Sequence, residues 1–320
     1  MEGSIALDKL ASGQALAILR EVQKDVVGKD MAIVKVLMVI VARGHILLED
    51  MPGVGKTTLA LAFSKALALD YKRMQFNPDV MPSDITGFSV YDRTGGVLEF
   101  KPGAILCNLF LADEINRASS RTQAALLEAM EEGSVTVDGV THRIPEPFVV
   151  IATQNPTGAS GTQLLPDSQL DRFMVRFSLG YPAPADELEM LRRKHGSQPV
   201  EPVQQVAEGA DILRMRQEVR QVYVSDEIYD YVIRLINATR QHPLIGQGGS
   251  PRASNAVAQL AQAAACLQGR DFVIPQDVGV LFSDAVSHRL LLNQQGKAQG
   301  VTSRQLAQEI LEQTPAPKLR

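Results

Sequence analysis

The residues best equipped for chemistry lie in one short run, Asp50-Met51-Pro52-Gly53-Val54-Gly55-Lys56-Thr57-Thr58. Gly53 and Gly55 tolerate backbone angles that turn successive N–H groups inward, where phosphate oxygens can accept from them at the positive end of a following helix. Lys56 would neutralise β- and γ-phosphates, and Thr57 supplies the hydroxyl that such loops offer to Mg²⁺. Pro52, Val54 and Thr58 complete the cradle. The ligand that fits this chemistry is a nucleoside triphosphate. The usual eight-residue pattern opens with Gly, and Asp50 stands there instead.

Triphosphate hydrolysis also needs a metal-holding acid and a group that polarises water. Residues 108–114 supply both, as an apolar run ending in Asp113 and Glu114. At a strand's carboxyl end Asp113 can hold Mg²⁺ through water, and Glu114 can act on the attacking water. The same two acids would also suit the N-terminus of the helix that follows. Asn155 ends the next apolar run, residues 148–153, where its amide could orient that water and touch the γ-phosphate. Before Pro156 it could equally be a turn former.

The elements that must position these groups alternate. Apolar runs at 46–48, 106–112, 148–153 and 173–179 are separated by helical patterns such as 58–69, which predicts an α/β fold with a largely parallel sheet. Two β-hairpin inserts are expected: 87–91 turning at 92–96 into 97–100, and 135–137 turning at Asp138-Gly139 into 140–144. The most apolar stretch, 31–41, is interrupted by Lys35 and followed by Arg43, so it reads as a core helix too short to cross a bilayer. From Tyr181 the chain becomes a Pro-rich connector enclosing Arg192-Arg193-Lys194-His195, a run read as a solvated helix face. Beyond residue 208 the pattern is helical, at 211–219, 225–240 and 253–267. The expected division is an α/β core over 1–182, a linker over 183–207 and a helical lid domain over 208–320.

Composition narrows the partners. The 320 residues are 45% hydrophobic and 21% charged, with a formal net charge of −4 that gives no global attraction to nucleic acid or anionic lipid. Cys107 and Cys266 are too few and too far apart for a disulfide framework, and the first residues lack a basic-then-apolar signal. A cytoplasmic protein without membrane insertion is expected.

In this order and spacing the residues resemble those of the AAA+ ATPases. Six further stretches narrow the likeness to the MoxR family: FNPDVMPSDITG (76–87), LADEINRASSRTQAALLEAMEE (111–132), VTVDG (135–139), FVVIATQNP (148–156), LPDSQLDRF (165–173) and SPRA (250–253). The resemblance covers nearly the whole chain. It implies an AAA+ P-loop core with a parallel sheet and β-hairpin inserts, then an all-α lid, with ATP and Mg²⁺ as cofactors and hydrolysis to ADP and phosphate. Arg172, in LDRF, matches the arginine finger that reaches a neighbouring subunit's γ-phosphate, with Arg176 near enough to compete for the role. Arg252, in SPRA, matches the second sensor arginine of the lid. Val27 and Gly28 match the place where such proteins hold adenine. Taken without the family, Arg172 is an ordinary salt-bridge former and Arg252 a helix-start residue.

The resemblance further implies a homo-oligomeric ring, usually a hexamer, and a client protein, often one with a von Willebrand factor A domain. ATP hydrolysis would then drive chaperone-like remodelling, maturation or metal-cofactor loading of that client. The competing reading is an ATP-driven nucleic-acid motor of the ring-helicase type, which shares the hairpin inserts; the acidic charge and the lack of a visible DNA-binding unit oppose it. A nucleotide-gated scaffold would have little need for Glu114. A GTPase would carry an Asn-Lys-x-Asp or Thr-Lys-x-Asp base-reading motif, and neither occurs.

Overall fold

A computed structural model of the chain describes residues 13–51, 53–93, 97–155, 165–195 and 201–318. Pro52, Pro156 and the 94–96 part of the first hairpin turn lie outside the described residues.

Two helices open the chain, α1 (Gly13–Asp25) and α2 (Asp30–Val41). Nine of the twelve α2 residues are buried, as an almost wholly apolar helix requires. Then come β1 (Ile46–Glu49), α3 (Lys56–Ala66), β2 (Tyr71–Gln75), α4 (Pro82–Thr86) and the hairpin β3 (Gly87–Asp92) and β4 (Val97–Pro102). Next are β5 (Leu109–Asp113), α5 (Ser120–Glu132), the hairpin β6 (Ser134–Val137) and β7 (Val140–Arg143), β8 (Val149–Gln154), α6 (Asp167–Leu170) and β9 (Val175–Phe177).

Five strands form one sheet in the order β2-β5-β8-β1-β9, and every pairing in it is parallel. β5 and β8 are buried along their whole length, the mark of a parallel sheet covered on both faces. Alternation along the strands splits the core. Leu48, Leu109, Leu111 and Ile151 pack with α1, α2 and α3, while Leu47, Phe110, Ala112 and Val150 pack with α5. Because the strands run the same way, the chain leaves β1, β5 and β8 on a single edge of the sheet, and ligand-binding residues gather at such an edge.

Both expected hairpins are present. The second turns at Asp138 and Gly139 with φ of +49° and +80°, the paired left-handed geometry that Asp-Gly favours. The hairpins lean on each other, with the Phe100 ring stacked on His142 at 3.7 Å between centroids.

The connector contains a helix, α7 (Pro184–His195), with no buried residue and with the basic run in its last turn, where the helix dipole favours cations. The lid follows as α8 (Gly209–Gln221), α9 (Asp226–Gln241), β10 (Ile245–Gln247), α10 (Pro251–Leu267), α11 (Pro275–Val280), α12 (Phe282–Val286), β11 (Leu291–Leu292), α13 (Gln294–Ala298) and α14 (Ser303–Gln313). It is helical apart from one short antiparallel pairing of β10 with β11 and an isolated parallel bridge between Tyr223 and Phe272. The lid's α8 and α10 pack on α2, so the lid shares one apolar cluster with a face of the core.

Candidate active site

The loop after β1 turns into α3 through Gly53 and Gly55, whose φ values are +89° and +98°. A side chain at either would be strained by the left-handed backbone, although nothing lies within 4 Å to crowd it. Glycine is therefore needed for conformation, and the curled backbone delivers its N–H groups to the first turn of α3. Lys56 begins that helix and donates from Nζ to the carbonyls of Asp50 at 2.8 Å and Met51 at 3.2 Å. Burial pushes its pKa down, while Asp50, Asp113 and Glu114 pull it up.

Asp50 is buried at the border of the cradle, and its carboxylate is engaged by the chain beyond β9. Its carboxylate accepts from the Ser178 hydroxyl, from Leu179 N at 2.7 Å and from Gly180 N at 3.0 Å. The carbonyls of residues 179, 180 and 181 in turn accept from Lys29 Nζ at 2.8 to 2.9 Å. The residue that departs from the phosphate-loop pattern thus ties the loop to the chain leaving β9.

Asp113 ends β5 and Glu114 follows with φ +57° and ψ +48°, a left-handed kink that starts a single 3₁₀ turn. Thr153 of β8 holds the pair together, since its hydroxyl accepts from Glu114 N at 2.8 Å and donates to Asp113 Oδ1 at 2.7 Å. The other oxygen of Asp113 accepts from Arg73 Nη2 at 2.6 Å, and Glu114 Oε2 accepts from Arg117 at 2.9 Å. Asn155 follows β8, and its carbonyl accepts from Asn116 Nδ2 at 3.3 Å.

These groups line one cleft of about 360 Å³: Lys56, Thr57 and Thr58 on one side, Asp113, Glu114 and Asn155 on another, and Arg73 with Gln75 from β2 on a third. Its cationic and helix-terminal side suits phosphate, while a hydroxyl and a carboxylate suit a hard divalent cation. Arg73, Gln75 and Thr153 escaped the sequence reading. β2 is a partly exposed strand of mixed polar and apolar residues, so only its period-two spacing, with Tyr71, Arg73 and Gln75 on one face, pointed to them.

Arg172 and Arg252 are not in that cleft. They converge on Glu131 in the last turn of α5, lining a smaller hollow with Met130 and Asp171. The Arg172 guanidinium is ion-paired with Glu131 at 3.2 Å, without hydrogen-bond alignment, and Arg252 Nη2 donates to the same carboxylate. Arg176 is elsewhere again, 3.7 Å from Glu49 at the end of β1. Val27 and Gly28 form the turn between α1 and α2 and do not line the cleft; Gly28 abuts Asp186 of α7, where a Cβ would come within 2.1 Å of the carboxylate.

Comparison with known proteins agrees with this geometry. The family model for ATPases associated with various cellular activities matches residues 45–175, and the model for the AAA lid domain matches 237–310. The chain is 35% identical to the chaperone MoxR1 of Mycobacterium tuberculosis, over 93% of this chain and 81% of that one. It belongs to the MoxR family of AAA+ ATPases. It is also 44% identical to YeaC of Bacillus subtilis, over 94% of each chain. A crystal structure of a candidate ATPase from Cytophaga hutchinsonii superposes with a TM-score of 0.87 at 37% identity, covering 94% of each chain. The parallel sheet with its helices and the helical lid are thus the MoxR-family AAA+ architecture. No helix among the described residues is long and apolar enough to cross a membrane.

Proposed function

We propose that this MoxR-family chain hydrolyses ATP with Mg²⁺ and uses the cycle to remodel, mature or load metal into a client protein. The observation that carries the reading is the single cleft holding Lys56, Thr57, Asp113, Glu114 and Asn155 at the end of the sheet. Backbone N–H groups of residues 53–57 and Lys56 would hold the β- and γ-phosphates. Among the described residues no group of three or more His, Cys, Asp or Glu cages a metal, so Mg²⁺ would be held by the Thr57 hydroxyl and Asp113 through water, with phosphate oxygens completing the shell. When bound, the ion supplies charge neutralisation at the transferring phosphoryl group.

Glu114 would accept the proton of the attacking water. Its backbone is held by Thr153 and its carboxylate by Arg117, contacts that would keep the group in place before nucleotide binds. Asn155 would orient the same water. Arg172 and Arg252 stand apart from their own cleft, on Glu131. That separation supports a role in trans, in which one subunit's arginines meet the phosphates of the next in a closed ring, by expectation a hexamer. Such a finger is worth about 10³ to 10⁵ in rate in other nucleotidases.

The exposed hairpin tip bearing Tyr91, Val97 and Leu98 is a candidate contact for the client, which the family resemblance suggests is often a von Willebrand factor A domain protein. ATPase measured across concentrations that span assembly tests the reading: turnover per subunit should rise with the ring, and monomers with full turnover would refute the composite site. Affinity capture with Glu114→Gln, which should hold the ATP-bound assembly on its client, tests the remodelling role. Recovery of this chain alone would remove its support.

A further inference from the structure

One side chain whose every donor is used lies outside the cleft. Arg289, at the end of the short turn after α12, is 4% exposed yet fully partnered. Its Nε donates to Asp171 Oδ1 at 2.6 Å, its Nη1 to Met174 O at 3.2 Å and to Ala285 O, and its Nη2 to Asp171 O at 3.0 Å and Phe173 O at 2.8 Å. Those bonds use all five donors of a guanidinium, and two of the acceptors are the carbonyls on either side of Arg172. Two more lid groups hold the same turn: His288 Nε2 bonds Phe173 O at 3.0 Å, and the Ser250 hydroxyl donates to Asp171 Oδ2 at 3.1 Å, two residues before Arg252.

We infer that Arg289 is a positioning residue for phosphoryl transfer, locking the Arg172 turn to the lid so that Arg172 and Arg252 reach a neighbour's phosphates as one rigid unit. This rests on the reading of Arg172 as a finger acting in trans. An ion pair needed only for stability would be satisfied by the Asp171 carboxylate; the three backbone carbonyls of residues 171, 173 and 174 instead fix the path of the chain through Arg172. Rotation of the lid is then transmitted to the finger.

The test is Arg289→Lys, which keeps the charge and loses the planar fork. The expected result is an assembled ring with ATP affinity within about twofold of wild type and kcat lowered about 10- to 100-fold, the loss that a displacement of about 1 Å brings. Mixing this variant with Lys56→Ala subunits should restore turnover, because the intact cleft of one then receives the intact finger of the other. Wild-type kcat in Arg289→Lys, or a lowered kcat that mixing does not restore while Arg172→Ala is restored, overturns the inference. If Arg172→Ala itself gains nothing from Lys56→Ala subunits, the underlying trans reading fails instead. Should Arg289→Lys not assemble, Ser250→Ala, which removes only the hydroxyl shared between the two Asp171 carboxylate oxygens, takes its place: about a threefold fall in kcat, restored by mixing, is expected, and an unchanged kcat overturns the inference.

Discussion

Asp50 turns a departure from the phosphate-loop pattern into a function. Its carboxylate accepts three hydrogen bonds from residues 178–180, two of them from backbone N–H groups, of which Gly180 N is shared with the Ser178 hydroxyl. Asp50→Ala should therefore destabilise the fold by about 2 to 3 kcal/mol, read as a lower urea midpoint, because buried donors lose a charged acceptor. Asp50→Asn, which keeps one acceptor oxygen, should lose less. His45 gives a pH signature at the same scale. Its Nδ1 accepts from Val150 N at 3.0 Å and its Nε2–H donates to Met130 O at 3.1 Å, so only the neutral ring satisfies both. Burial, with a smaller contribution from Arg216, lowers its pKa from the ordinary 6.5 to about 4. His288 is pushed down too, by burial and by Arg289 and Arg176. Between those pH values the unfolded chain binds more protons than the native one. Stability is thus full above about pH 6.5 and is lost as pH falls toward 4, by about 2 to 3 kcal/mol from His45 alone. Urea unfolding at a series of pH values should show this slope, and His45→Gln should flatten it.

At the scale of elements, what was legible in the sequence depended on burial. β1, β5 and β8 are central strands whose uninterrupted apolar runs marked them, and the residues at their ends, Lys56, Asp113, Glu114 and Asn155, meet as the spacing predicts. β2 went unread because an edge strand of Tyr, Lys, Arg, Met and Gln carries no such run, and Arg73 went with it. The hairpins were legible from Asp-Gly and alternation, but the fate of their aromatics was not. Phe100 packs on His142, whereas Tyr91 and Leu98, directly opposite each other, stay 60% and 64% exposed. Serine at both positions should leave stability within about 0.5 kcal/mol per site, since surface changes away from buried features rarely cost more. If this tip meets the client, the same double variant should weaken client retention by Glu114→Gln without altering basal ATPase. Equal retention would exclude the tip.

The whole molecule adds what no local pattern could carry. Arg289 meets Asp171 across 118 residues of sequence, and Arg252 meets Glu131 across 121, so motif spacing said nothing about either contact. Resemblance to the MoxR family supplied roles for Arg172 and Arg252; the structure adds that they share one carboxylate away from their own cleft. On the proposed trans reading, the cleft on one side and the ion-paired arginines with the lid that binds their turn on the other would each be half of a site. The central claim is that Glu114 drives hydrolysis of an ATP held by Lys56 and Thr57. The most direct measurement compares ATP affinity and Mg²⁺-dependent turnover in the wild-type assembly and in Glu114→Gln. Binding retained within a few-fold and turnover lowered at least about 100-fold is the expected result, since general-base catalysis contributes about 10² to 10⁴. Turnover that survives Glu114→Gln at the wild-type rate, or a wild-type assembly that binds ATP and never hydrolyses it, would contradict the claim.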